Sequence, residues 1–171
     1  MPTLYTIGYE SSTPEQLIAT LKAVGVKTLA DVRELPLSRK KGFSKSALSE
    51  LLAEAGIKYL HFKSLGDPKE GREAARTGNI AKFEAVFLQH FAKQAGRNAF
   101  AELLEVAKFE ATCIMCFERC HVHCHRSYIA DEAVREGFDV FNLVPDRPEA
   151  YLKNGFAIPR YNPRQSLSAA E

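Results

Sequence analysis

Four cysteines and three histidines crowd one segment of this chain: Cys113, Cys116, Cys120 and Cys124 with His121, His123 and His125. Thiols and imidazoles serve as nucleophiles, redox pairs or soft metal ligands, so such a cluster sets several chemistries side by side. In the first, Cys124 is a nucleophile. Cys124-His125-Arg126 reads as the entry to a helix, where unpaired amides and the helix dipole favour an anion and lower a thiol's pKa. Glu118, and Asp31 from earlier in the chain, are candidate general acids or bases, and an ion pair with a neighbouring arginine is the plain alternative for each. For Cys124 the plain alternative is a small buried hydrophobe. Arg33, Arg39 and Arg126 offer planar guanidinium forks, so the ligand expected of this reading is a small anionic molecule or nucleotide, with no cofactor.

The second chemistry is a metal, zinc or iron, held by Cys116, Cys120, His123 and Cys124, with a redox thiol pair as a smaller branch. Spacing weighs against it: Cys113 and Cys116 on one strand face opposite sides and make no Cys-x2-Cys knuckle. A third arrangement runs from Cys120 to Arg126, a Cys-x5-Arg run followed by Ser127. It resembles the phosphate loops of cysteine phosphatases and arsenate reductases, but the intervening residues hold no glycine for close backbone approach.

Positioning these residues falls to an alternation of strands and helices. Thr3–Gly8, Thr28–Val32, Ile57–Phe62, Ala111–Cys116 and Asp139–Val144 read as short β-rich runs. Between the first two, Thr13-Pro14-Glu15-Gln16 predicts a capping box, with Leu17, Ile18, Leu21 and Val24 on one helix face and Gly25 closing it. Further helices are predicted over Ser44–Ala55, over a long stretch from Ile80 to Lys108 broken near Gly96-Arg97-Asn98, and over Arg126–Glu136. Leu65–Asn79 reads as a long connection, a solvated loop or a lid. The fold class implied is α/β, a single-domain three-layer sandwich: a mostly parallel sheet of about five strands with helices on both faces. Residues 1–144 form that domain. Residues 145–171 form a Pro-containing tail whose end, Ser166–Glu171, is expected to fray.

In such sheets ligands bind beyond the carboxyl ends of the strands. The residues just past the predicted strands are Gly8 and Tyr9, Asp31 and Arg33 with Ser38 and Arg39 soon after, and Cys116 and Glu118 with Cys124, His125 and Arg126. Reactive side chains thus gather at one edge. Gly8 after a strand, Asp31-Val-Arg33, Pro36-x-Ser38-Arg39, Phe43, and Cys116-x-Glu118 followed by Cys124-His125-Arg126 resemble the bacterial and archaeal family catalogued as domain of unknown function 488. The resemblance spans about Thr3 to Leu143. It implies a compact α/β domain with a pocket, and it implies no reaction. It marks Asp31, Arg33, Ser38, Arg39, Cys116, Glu118, Cys124, His125 and Arg126 as motif positions. Cys113, Cys120, His121 and His123 go beyond them.

Composition bounds the rest. The chain has 171 residues, 46% hydrophobic and 26% charged, which suits one folded domain. A net charge of +2 gives no global field toward nucleic acid or membrane. No apolar run reaches the roughly 18 residues a membrane span needs, and Met1-Pro2-Thr3-Leu4 opens no signal segment. The expected location is the cytoplasm. Nucleic acid is the alternative partner, because Arg33, Arg39, Lys40 and Lys41 with Phe43, and Arg160 and Arg164 with Tyr161, interleave base and aromatic; a solvated face is the plain alternative. His61 and His90 are assigned to structure. The Phe83, Phe87, Phe91 stripe is core or an oligomer face, and the sequence assigns no oligomeric state.

Overall fold

The computed structural model describes residues 1–163. One sheet of five parallel strands has the order β3-β2-β4-β1-β5, with β1 Thr3–Gly8, β2 Thr28–Asp31, β3 Lys58–His61, β4 Thr112–Cys116 and β5 Asp139–Leu143. Helices α1 (Pro14–Ala23) and α2 (Lys45–Glu54) connect β1 to β2 and β2 to β3. Helices α3 (Lys69–Arg76), α4 (Ile80–Ala92) and α5 (Gln94–Phe109) lie between β3 and β4, and α6 (Arg126–Arg135) between β4 and β5.

The two-residue period of the strands sorts side chains into two cores. Consecutive residues Ile114 and Met115 enter different ones. Met115 joins Leu17 and Leu21 of α1 and Leu48 and Leu52 of α2. Ile114 joins Phe83 and Phe87 of α4, Leu103 of α5 and Ile129 of α6. Helices therefore cover both faces, and β2 and β4, fully buried, carry unbroken interior runs.

Local signals explain most boundaries. The Thr13 hydroxyl accepts from the Gln16 amide at 3.1 Å while the Gln16 side chain accepts from the Thr13 amide at 2.9 Å. Two predictions are corrected. The Leu65–Asn79 connection contains α3, whose sequence KEGREAAR buries only Gly71 and Ala74 and so lacks an apolar stripe to announce it. The break in the long helical stretch falls at Lys93, extended at φ −63° and ψ 156°, and Gly96 lies inside α5. Gly96 is there because a Cβ would meet the Phe91 carbonyl oxygen at 2.6 Å.

The tail, as far as residue 163, packs back on the domain. Residues 148–152 form a 3-10 turn, and Arg160 bridges Phe141 of β5. The predicted fraying of Ser166–Glu171 lies outside the described residues. Among the described residues no helix is long and apolar enough to cross a membrane.

Candidate functional site

Strand order decides where the chain opens. From β2 the chain turns toward β3, and from its neighbour β4 it leaves the other way, past β1 to β5. Two adjacent strands whose exits diverge leave a crevice at their carboxyl ends. There the structure has a pocket of about 360 Å3. Tyr9 follows β1, Arg33 and Glu34 follow β2, Cys116 ends β4, and Phe117 and Glu118 follow it; all six line the pocket, with His125 ahead of α6.

Cys116 and His125 on the floor of this pocket belong to a thiol–imidazole centre that Cys124 completes from behind. The Sγ atoms of Cys116 and Cys124 and a ring nitrogen of His125 lie within 4.8 Å of one another, and all three residues are buried. His125 Nδ1 is 3.6 Å from Cys116 Sγ and 3.9 Å from Cys124 Sγ. Its other nitrogen, Nε2, donates to the Val32 carbonyl at 2.7 Å, which fixes the ring and turns Nδ1 toward the sulfurs. The Cys116 thiol donates to Glu118 Oε2 at 3.0 Å. Charges respond to this crowding. Burial opposes ionisation of Cys124, but the bond from Cys116 and the positive Arg126 and His125 bring its thiol well below the usual range. Burial and the Cys124 charge push the Cys116 thiol up. Burial also opposes charge on His125, yet Cys124 lifts it to about 9. Glu118 is pushed up to about 7 by burial and the Cys124 charge.

The chain belongs to the DUF488 family. The family described as domain of unknown function DUF488 matches residues 13–133, a span that holds every motif residue from Asp31 to Arg126 and stops short of β1 and β5. Gly8 and Tyr9 lie before it. No curated protein and no solved structure matches the chain.

In this DUF488 domain the other motif residues build the walls. Asp31, fully buried, accepts two bonds from the Arg33 guanidinium, at 2.9 and 2.7 Å, and one from Tyr59 at 2.5 Å. Arg33 gives its remaining nitrogen to the Phe43 carbonyl and the Tyr9 hydroxyl. Arg126, 1% exposed, donates to the carbonyls of Glu118 and Arg119, at 2.6 and 3.2 Å, and fastens the turn between the two cysteines. Gly8 belongs to the same fastening, since a Cβ there would sit 1.6 Å from the Glu118 carbonyl oxygen. Ser38 holds its own turn, accepting from the Lys40 amide. Arg39 is exposed and does not line the pocket.

Of the metal set expected from the sequence, the structure brings two residues together. Cys116 and Cys124 are together, Cys120 is exposed and outside the compact group, and His125 completes it. The side chain of His123 lies outside what the structure describes. Cys113 joins the core on the opposite face of the sheet. Phe43 and Tyr161, the aromatics of the nucleic-acid pattern, are buried. Sequence reasoning missed Asp67 and Arg72. Both come from the segment read as a solvated loop or a lid, both line the pocket, and Arg72 Nη1 donates to Glu34 at 2.8 Å and to the Asp67 carbonyl at 2.6 Å.

Proposed function

We propose that this protein is a hydrolase or transferase acting on a phosphorylated or nucleotide-like ligand, with Cys116, Glu118, Cys124 and His125 as its reacting centre. One observation carries the reading: a thiol, an imidazole and a carboxyl meet on the floor of an open pocket, with a second thiol, that of Cys124, directly behind them. Packing alone calls for apolar side chains at such positions, because each polar group taken from water costs free energy that its hydrogen bonds barely return.

The walls suit such a ligand. Tyr9 and Phe117 meet edge to face at 5.3 Å, and with Leu35 and Leu37 they present apolar surface to a flat ring. The bonds of Arg72 to the protein leave from Nη1, so the other edge of its guanidinium is the fork for an anion. Arg33 and Arg126, committed to internal acceptors, shape the pocket rather than hold the ligand. The reaction is displacement at phosphorus or a carbonyl carbon. Glu118 takes the proton of the attacking water or hydroxyl and returns it to the leaving group. Asp31, locked by Arg33 and Tyr59, has no part in it.

The test is hydrolysis of p-nitrophenyl phosphate, bis(p-nitrophenyl) phosphate and the common nucleoside monophosphates by the wild type and Glu118→Gln. Turnover of at least one, reduced about 100-fold or more by the substitution with unchanged melting, is the expected result. No turnover across the panel, or equal turnover by both proteins, overturns the reading.

A further inference from the structure

We infer that Cys116, Cys124 and His125 bind one zinc ion whose fourth position opens to the pocket. The site stands on its own geometry; only its catalytic meaning rests on the function proposed above.

Zinc–sulfur and zinc–nitrogen bonds of about 2.3 and 2.0–2.1 Å, set at tetrahedral angles, put sulfur and nitrogen ligands about 3.6 Å apart and two sulfurs about 3.8 Å apart. Nδ1 of His125 lies 3.6 Å from one sulfur and 3.9 Å from the other, and the three donor atoms lie within 4.8 Å of one another. The two sulfur–nitrogen distances match those of a shared tetrahedral ion, and the third pair lies within the same compact group. His125 also has the support that metal-bound histidines use: its far nitrogen donates to a backbone carbonyl, that of Val32. Two thiolates and an imidazole are soft donors that select zinc over magnesium or calcium. On binding, any proton still held by either thiol passes to solvent, and the two thiolate charges balance the dication.

Among the described residues three supply ligands, and three protein ligands with an open fourth position mark catalytic rather than purely structural zinc. The open position has a direction, because Cys116 and His125 line the pocket while Cys124 stands behind them. Glu118, 3.0 Å from Cys116 Sγ, borders that side. Zinc would supply a water acidified to react near neutral pH, and Glu118, on that side, is the carboxyl to accept its proton. Cys120 has no place in this site, which separates it from any set drawn from spacing along the chain.

Chelator-treated full-length protein titrated with Co2+ and then Zn2+ tests the inference directly. One equivalent of Co2+ is expected to give sulfur-to-cobalt charge-transfer absorption that zinc displaces. Cys120→Ser leaves the titration unchanged, and Cys124→Ser weakens binding about 100-fold or more. Should that variant misfold, zinc protection of wild-type Cys116 from iodoacetamide, read by peptide mass spectrometry, gives the answer without it; protection of at least tenfold is expected. No absorption at one equivalent, loss of binding in Cys120→Ser, or equal alkylation with and without zinc overturns the site. Stoichiometric zinc with turnover indifferent to Glu118→Gln keeps the site and overturns the hydrolase or transferase reading, and Glu118-dependent turnover by protein that takes up no metal does the reverse.

Discussion

Asp31 ends one strand that borders the pocket and Glu118 follows the end of another, and their surroundings put them to opposite uses. Every bond that Asp31 accepts comes from inside the wall, so removing its charge strands the Arg33 guanidinium in the interior. Glu118 touches a sulfur and faces the pocket. A third acid, Asp67, is 6% exposed, and its Oδ1 has no partner among the described residues. Burial raises its pKa to about 6, with His125 and Arg72 pulling down and Cys124 and Glu34 adding to the rise. The folded state therefore holds this proton more tightly than the unfolded chain, so Asp67 costs stability as pH climbs from about 4 through 6. Asp67→Asn is expected to be more stable than the wild type at pH 8, by up to about 3 kcal/mol, with the gain vanishing near pH 4; urea unfolding at both pH values checks it. At this scale the sequence displayed the reactive types and hid their assignments. Nothing in the letters tells that Arg126 points at the carbonyls of residues 118 and 119, because carbonyl direction is a property of the folded turn.

The turn between β4 and α6 is the element on which the centre depends. Cys116 closes the strand and Cys124 and His125 precede the helix, so the seven residues between them must return the chain to within bonding reach. Gly8 on the neighbouring strand leaves room for that return. Gly8→Ala forces the Glu118 carbonyl aside and is expected to cost about 1–3 kcal/mol, and to depress both metal uptake and turnover at temperatures where the protein stays folded; circular dichroism with cobalt titration separates the two effects. Elements with their own signal were legible. The capping box of α1 and the left-handed glycines Gly25, Gly56 and Gly137 fall where the sequence puts helix ends. Helix α3 was not legible, since a helix held by polar contacts and two small buried residues carries no apolar period, and with it went Asp67 and Arg72.

At the scale of the molecule, the alternation of strands and helices implies the class, whereas the order of the strands is set by the folded sheet. Periodicity says which residues are inside and is silent about which strand neighbours which. The tail shows the same limit: its prolines hide that Tyr161 is buried, donating to the Ser127 carbonyl and to Asp131 of α6. Tyr161→Ala is expected to lower stability by about 3–5 kcal/mol, seen as a lower urea midpoint, while zinc uptake at folding-permissive temperature persists. The strand order has a bearing on how the chain is made. The first strand pairs with the fourth and fifth, and the second pairs with the third and fourth but not with the first. During synthesis, then, β1 leaves the ribosome long before the two strands it pairs with, and the halves of the sheet are joined by a late wedge, β4, whose last residue is Cys116.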